Sequence, residues 1–278
     1  MKSAHDVYYV PAPSKWPVVG STALFLLATG FVSFLWGHTP GIAVMGLGMA
    51  VLTYMLFGWF GNVIHESETG SYNAQVDMSF RWAMGWFIFS EVMFFAAFFG
   101  ALFYARQMSL PTLGDVDNAL RWPGFKPTWP SEGPYLTGNF TAMAPWGIPA
   151  INTALLLTSG VTVTWAHWAL KLNKRGQLIA GLAATIALGL LFLFLQINEY
   201  GEAAFSLSTG VYGATFFMLT GFHGFHVTLG TLMLIVILAR SAKGHFTPEH
   251  HFAFEAVSWY WHFVDVVWLG LFIFVYWL

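Results

Sequence analysis

Seven stretches of this chain are apolar enough, and long enough, to lie in hydrocarbon. They run over residues 16–36, 41–64, 80–104, 148–170, 178–200, 211–239 and 254–278. A bilayer core about 30 Å thick takes about 20 residues of α-helix to cross. Lipid gives a backbone N–H or C=O no partner, so each stretch must close its hydrogen bonds within itself as a helix. A β-barrel would show shorter strands of alternating polarity, and these runs do not alternate. The expected fold is therefore all-α, a polytopic membrane protein with seven transmembrane helices.

Composition agrees. Of 278 residues, 57% are hydrophobic and 9% charged, against about a quarter charged in an average soluble domain. A formal charge of −2 gives no electrostatic footprint for a nucleic-acid partner. The absence of cysteine removes disulfides, zinc–thiolate sites, iron–sulfur clusters and thiol catalysis. The first residues, MKSAHDVYYVPAPSKWP, lack the apolar core and small-residue cleavage site of a signal peptide and are expected to form an inner-side tail over 1–15. Residues 16–66 then hold helices one and two, and 67–278 hold helices three to seven.

The connections are short except for 106–147, which is rich in Pro, Gly and Trp and is expected to be ordered coil on the outer face. Lys2, Lys15, Arg81, Lys171, Lys174, Arg175, Arg240 and Lys243 fall on one side of the membrane, and Arg106, Arg121 and Lys126 on the other. This asymmetry places the N-terminus inside and, with an odd number of spans, the C-terminus outside. Small residues recur every four positions at Gly181, Thr185 and Gly189, and again at Ala96 and Gly100, a spacing that lets helices approach closely.

The chain keeps Glu91, His167, Glu199, His223, His226, Glu255, His262 and Asp265 within these apolar runs. An ionised side chain at the bilayer centre costs about 2.5–3.5 kcal/mol on insertion scales, so each needs a partner or must give up its charge. Counting from the inner end of each span puts Glu91 about 12 residues deep, Asp265 about 11 and His226 about 14, all near the midplane. Glu91 and His226 are expected to hydrogen-bond across helices three and six, with His223 one turn further out. His262 and Asp265, three apart, share a helix face that should turn inward.

Three functions suit such groups: interhelical hydrogen bonds that fix register, haem ligation, or a proton or ion path. His223 and His226 share one helix face and cannot sandwich a haem between them; a haem bridging His167 and His262 is conceivable. No paired Gly/Pro interruptions mark a carrier site. At the inner rim, Trp59, His65 and Glu66 end the second span and Arg240 ends the sixth, a grouping suited to a phospholipid headgroup.

Four long motifs carry a resemblance. FSEVMFF (89–95), INTALLLTSGVTVTWAHW (151–168), TGFHGFHVTLGT (220–231) and FEAVSWYWHFVDVVWL (254–269), with GWFGNVIHE in span two, resemble the matching spans of subunit III of the aa3-type cytochrome c oxidases, in order. The resemblance implies helices one and two separated from helices three to seven by a V-shaped, lipid-filled cleft. It implies no cofactor in this chain beyond structural phospholipids, with haem a and copper in partner subunits. Subunit I would be the main contact, with subunit II and a small subunit IV as further partners. The implied role is an accessory one: supporting proton uptake on the inner side and protecting the oxidase during turnover, in a bacterial inner membrane. Glu91 matches the family's buried glutamate, Glu66 and Arg240 match lipid-headgroup contacts, and His262 with Asp265 become a structural polar lock. The sequence departs from the family at His65, often arginine there, and at Ser71 and Tyr72, where many relatives have histidine. A quinol oxidase third subunit usually has five spans, and the two further N-terminal spans argue against it. A free-standing b-type cytochrome or an ion carrier are the rivals from other classes.

Overall fold

The computed structural model describes residues 11–134 and 141–278. The first ten residues of the expected tail, and 135–140 of the expected outer loop, lie outside the described residues. Among those described, seven helices are long and apolar enough to cross a membrane. They are α1 (Trp16–Leu35), α2 (Pro40–Glu68), α3 (Ala74–Tyr104), α4 (Ile148–Lys171), α5 (Arg175–Glu202), α6 (Gly210–Lys243) and α7 (Phe252–Leu271). Most run a few residues beyond the apolar stretches, because helix continues into the interfacial layer where side chains turn polar. Prolines fall in the first turns of α1, α2 and α4, where the missing N–H has no intrahelical partner to lose. Gly244, at φ +80°, closes α6 in the left-handed conformation that a glycine adopts without strain.

The chain divides into two compact units, Met1–Phe80 and Arg81–Leu278. The first contains the α1–α2 hairpin. Its helices touch backbone to backbone: a methyl group on Gly30 would sit 2.7 Å from the Met45 nitrogen, and one on Gly41 2.6 Å from the Gly30 oxygen. Nearby Ala23 is fully buried, while Phe25 and Phe57 are 67% and 79% exposed. Apolar side chains point outward and small residues inward, as expected where lipid supplies no hydrophobic drive for association.

The second unit packs α4 on α5, α5 on α6, and α7 on both α4 and α6. Its core is the α7 motif. Trp261 and Trp268 are buried to 1% exposure or less. A methyl at Gly189 of α5 would meet Trp261 Cη2 at 2.8 Å, and one at Gly230 of α6 would meet Cε3 of the same indole at 2.9 Å. Two helices thus press glycine notches against one ring. Gly181 likewise lies against Ala166 of α4, so the fifth-span small residues are used. Ala96 and Gly100 are not: both are exposed, and a methyl added at Gly100 would meet no neighbour within 4 Å, so that face of α3 is open in this chain.

The expected coil of 106–147 begins late. Helix α3 runs on through a π-helical turn, Ala105–Ser109, into Leu110–Leu113, and a further short helix spans Val116–Ala119. Pro111 stands in the first turn of Leu110–Leu113, and the wider turn before it accommodates a residue that cannot donate a backbone hydrogen bond. Arg106, in the π turn, donates to the Phe274 and Leu278 backbone oxygens, satisfying carbonyls at the end of the last helix.

Gly189→Val is expected to destabilise the chain by about 1–3 kcal/mol, the usual cost of overpacking, seen as a lower midpoint for thermal unfolding in detergent. An unchanged midpoint would mean that α5 and the Trp261 indole separate freely.

Candidate functional site

A polar contact joins α3 to α6. His226 Nε2 lies 2.8 Å from Glu91 Oε2, and His226 Nδ1 lies 2.6 Å from the Phe222 carbonyl of its own helix. A carbonyl only accepts, so Nδ1 carries a hydrogen. Nε2 then either accepts from a carboxylic acid or, as imidazolium, donates to a carboxylate; in both cases the pair is neutral overall. Phe94, Phe95, Phe225 and Phe263 surround the imidazole at 5.0–6.3 Å between ring centres. In that setting a lone charge would be costly and a neutral pair is cheap.

His223 is turned elsewhere. It is 1% exposed, its Nε2 donates to the Val264 carbonyl of α7 at 3.1 Å, and it shares no hydrogen bond with Glu91. Its ring lies 5.2 Å from Trp268 and 5.6 Å from Phe192.

His262 and Asp265 are less alike than their spacing suggests. Asp265 is 7% exposed, but 44% of the His262 side chain is exposed, and their nearest atoms are 3.6 Å apart, beyond hydrogen-bond range. His262 instead reaches Thr164 of α4 through Nε2 at 3.2 Å. Gly160 of α4 leaves the room the carboxylate occupies, since a methyl there would stand 2.5 Å from Asp265 Oδ2. Only Asp265 faces fully inward; His262 sits at the edge of the bundle.

The rim residues fall in separate units. In the first, Trp59 is 47% exposed and stacks on Phe60 at 5.7 Å. His65 is exposed, while Glu66 accepts a 2.8 Å hydrogen bond from Tyr72. The Tyr72 hydroxyl supplies the donor. In the second unit, Arg240 covers the Phe246 ring at 4.5 Å.

Several contacts escaped the sequence reading. Trp261 Nε1 donates to Ser159 Oγ at 2.8 Å and Trp268 Nε1 to Thr153 Oγ1 at 2.9 Å, pinning α7 to α4. Thr162 and Thr185 join α4 to α5 at 2.8 Å. Arg81 of α3 pairs with Glu255 of α7 and lies 5.5 Å over Phe252. Towards the other end, Glu199 accepts from Tyr276 at 3.3 Å. Hydroxyls and amides inside apolar runs look ordinary in a sequence; the one signal was that Thr153 and Ser159, six residues apart, match Trp268 and Trp261, seven apart.

Glu91→Gln keeps a hydrogen-bonding group against His226 and is expected to leave stability within about 0.5 kcal/mol. Glu91→Leu strands Nε2 and should cost about 1–3 kcal/mol. Detergent unfolding of the two variants measures the difference, and equal loss would remove the hydrogen bond from any part in stability.

The sequence matches the family model for cytochrome c oxidase subunit III over residues 5–278. Cytochrome c oxidase subunit 3 of Papio hamadryas is 43% identical over 271 residues, which is 97% of this chain and 96% of that protein. The same-named proteins of Marchantia polymorpha, at 42%, and Cyprinus carpio, at 43%, are similar over the same shares. With a match that spans all seven helices and the buried polar contacts between them, the chain belongs to the cytochrome c oxidase subunit III family.

Proposed function

We propose that this chain is the accessory, non-redox core subunit of its oxidase. In this reading it supports electron transfer from cytochrome c to oxygen, with its coupled proton translocation, without taking part in the electron path. It stabilises subunit I, assists proton uptake on the inner side and holds structural phospholipid. Haem a and copper belong to subunits I and II, and subunit IV is a further neighbour. The chain spans a bacterial inner membrane, N-terminus inside and C-terminus outside.

One observation carries the reading: both ring nitrogens of His226 are committed, to Glu91 and to the Phe222 carbonyl. An imidazole so engaged offers iron or copper no lone pair without losing a buried hydrogen bond. His223 and His262 each bond through one ring nitrogen, to the Val264 carbonyl and to Thr164. These groups hold α3, α4, α6 and α7 in register. The Glu91–His226 pair is the buried brace between α3 and α6, and His262 with Asp265 the polar lock of α7. Trp59, His65 and Glu66 on one unit, and Arg240 on the other, contact lipid headgroups; Arg240, 4.5 Å from the Phe246 ring centre, offers its guanidinium to a phosphate.

Removing this subunit from the purified oxidase should leave the initial rate of oxygen reduction in place and shorten the enzyme's working lifetime during continuous turnover. Immediate loss of electron transfer would place a redox part in this chain. Arg240→Ala should reduce the phospholipid retained in native mass spectra while changing turnover little; undiminished lipid would count against the headgroup assignment.

A further inference from the structure

Where α4 ends and α7 begins, two imidazoles and a carboxylate converge. His167 lies one turn before the last residue of α4. His251 stands at the start of α7, and Glu255 one turn into it. One ligand atom from each lies within 4.8 Å of the other two. The imidazole rings are 5.3 Å apart in an edge-on arrangement.

Three details distinguish this cluster from a set of polar side chains that merely satisfy one another. First, His167 Nε2 is buried and has no hydrogen-bond partner; a buried polar nitrogen left so calls for an ion or a water. Second, His251 Nδ1 donates to the Thr247 carbonyl at 3.1 Å. That bond fixes the tautomer and leaves the lone pair on Nε2, the arrangement by which metal-binding histidines are oriented. Third, Arg81 contacts one carboxylate oxygen of Glu255, Oε2. A carboxylate has two oxygens and can be steered by a guanidinium on one while it binds a cation with the other.

We propose that His167, His251 and Glu255 form a binding site for a divalent transition metal, with zinc as the best fit. Two neutral imidazoles and one carboxylate are a zinc ligand set, completed by water in a fourth position. Imidazole nitrogens disfavour magnesium and calcium, which take oxygen ligands. Ligand atoms around tetrahedral zinc stand about 3.3 Å apart, given bonds of about 2.0–2.1 Å, so the three groups need close by no more than about 1.5 Å. Glu255 and His167 are half-buried, and His251 is held by its backbone bond. The nearby Arg81 and Lys171 raise the local positive charge, and the Glu255 carboxylate offsets one of them. The consequence is a staple between the end of α4 and the start of α7, helices otherwise joined through Ser159, Thr153 and Thr164.

The test uses the intact membrane complex that contains this chain, stripped with a chelator and titrated with zinc alone. Bound zinc is counted by elemental analysis beside the variants His167→Gln and His251→Gln. The expected result is one equivalent fewer in each variant, or a loss of affinity of about tenfold or more, with the subunit retained in the complex. X-ray absorption of the unaltered protein at one equivalent provides a reading that needs no variant, and should show two imidazoles in the zinc shell. Wild-type stoichiometry and affinity in both variants, or a shell with fewer than two imidazoles, would overturn the site.

Discussion

Lipid removes the driving force that packs soluble proteins. Apolar side chains gain nothing by leaving hydrocarbon for a protein interior, so helices must be held by contact area between backbones and by the few hydrogen bonds that cross between them. The chain is built accordingly. Many large apolar groups, such as Phe25 and Phe57, lie outside, and beside the buried indoles Asn152, Ser159, Thr185, Gln196, Glu199, Thr220 and His223 lie inside. Gly181, Gly189 and Gly230 stand at close approaches of α5 and α6 to their neighbours. The Glu91–His226 contact, the indole–hydroxyl pairs of α7 and the Thr162–Thr185 bridge together connect α3, α4, α5, α6 and α7 through directional bonds.

This inversion accounts for what could be read from residues alone. Hydropathy located all seven helices, because a span must be apolar along its length whatever it packs against. Depth counting put Glu91 and His226 at one level, because helical rise is constant, and their atoms lie 2.8 Å apart. Orientation about each helix axis was harder to read. With apolar residues on every side there is little amphipathic signal, so Ala96 and Gly100 looked like a packing face and are open in this chain. The pairing of His262 with Asp265 rested on spacing alone; the backbone turns one inward and leaves the other half in the open, where Thr164 is nearer.

The long connection after α3 failed for a different reason. Pro111, Gly114 and the aromatic residues around them read as coil, yet the helix continues to Leu113. A π-helical turn changes the hydrogen-bond register just ahead of the proline, so the ring meets no required donor. Local signals mark where a regular helix must stop; they do not reveal that an irregular turn carries it on. Nearer the end of α2, the Tyr72 hydroxyl gives Glu66 a hydrogen bond that the sequence did not reveal.

Trp261 fills notches in two helices at once, lying against Gly189 of α5 and Gly230 of α6 while its nitrogen is moored on α4. A single flat ring therefore acts as a gauge block. Its thickness sets the gap between neighbouring rods, and its tether sets where along them the gap falls. α4, α5, α6 and α7 inherit their spacing from this one side chain, so a displacement of one is passed to the other three.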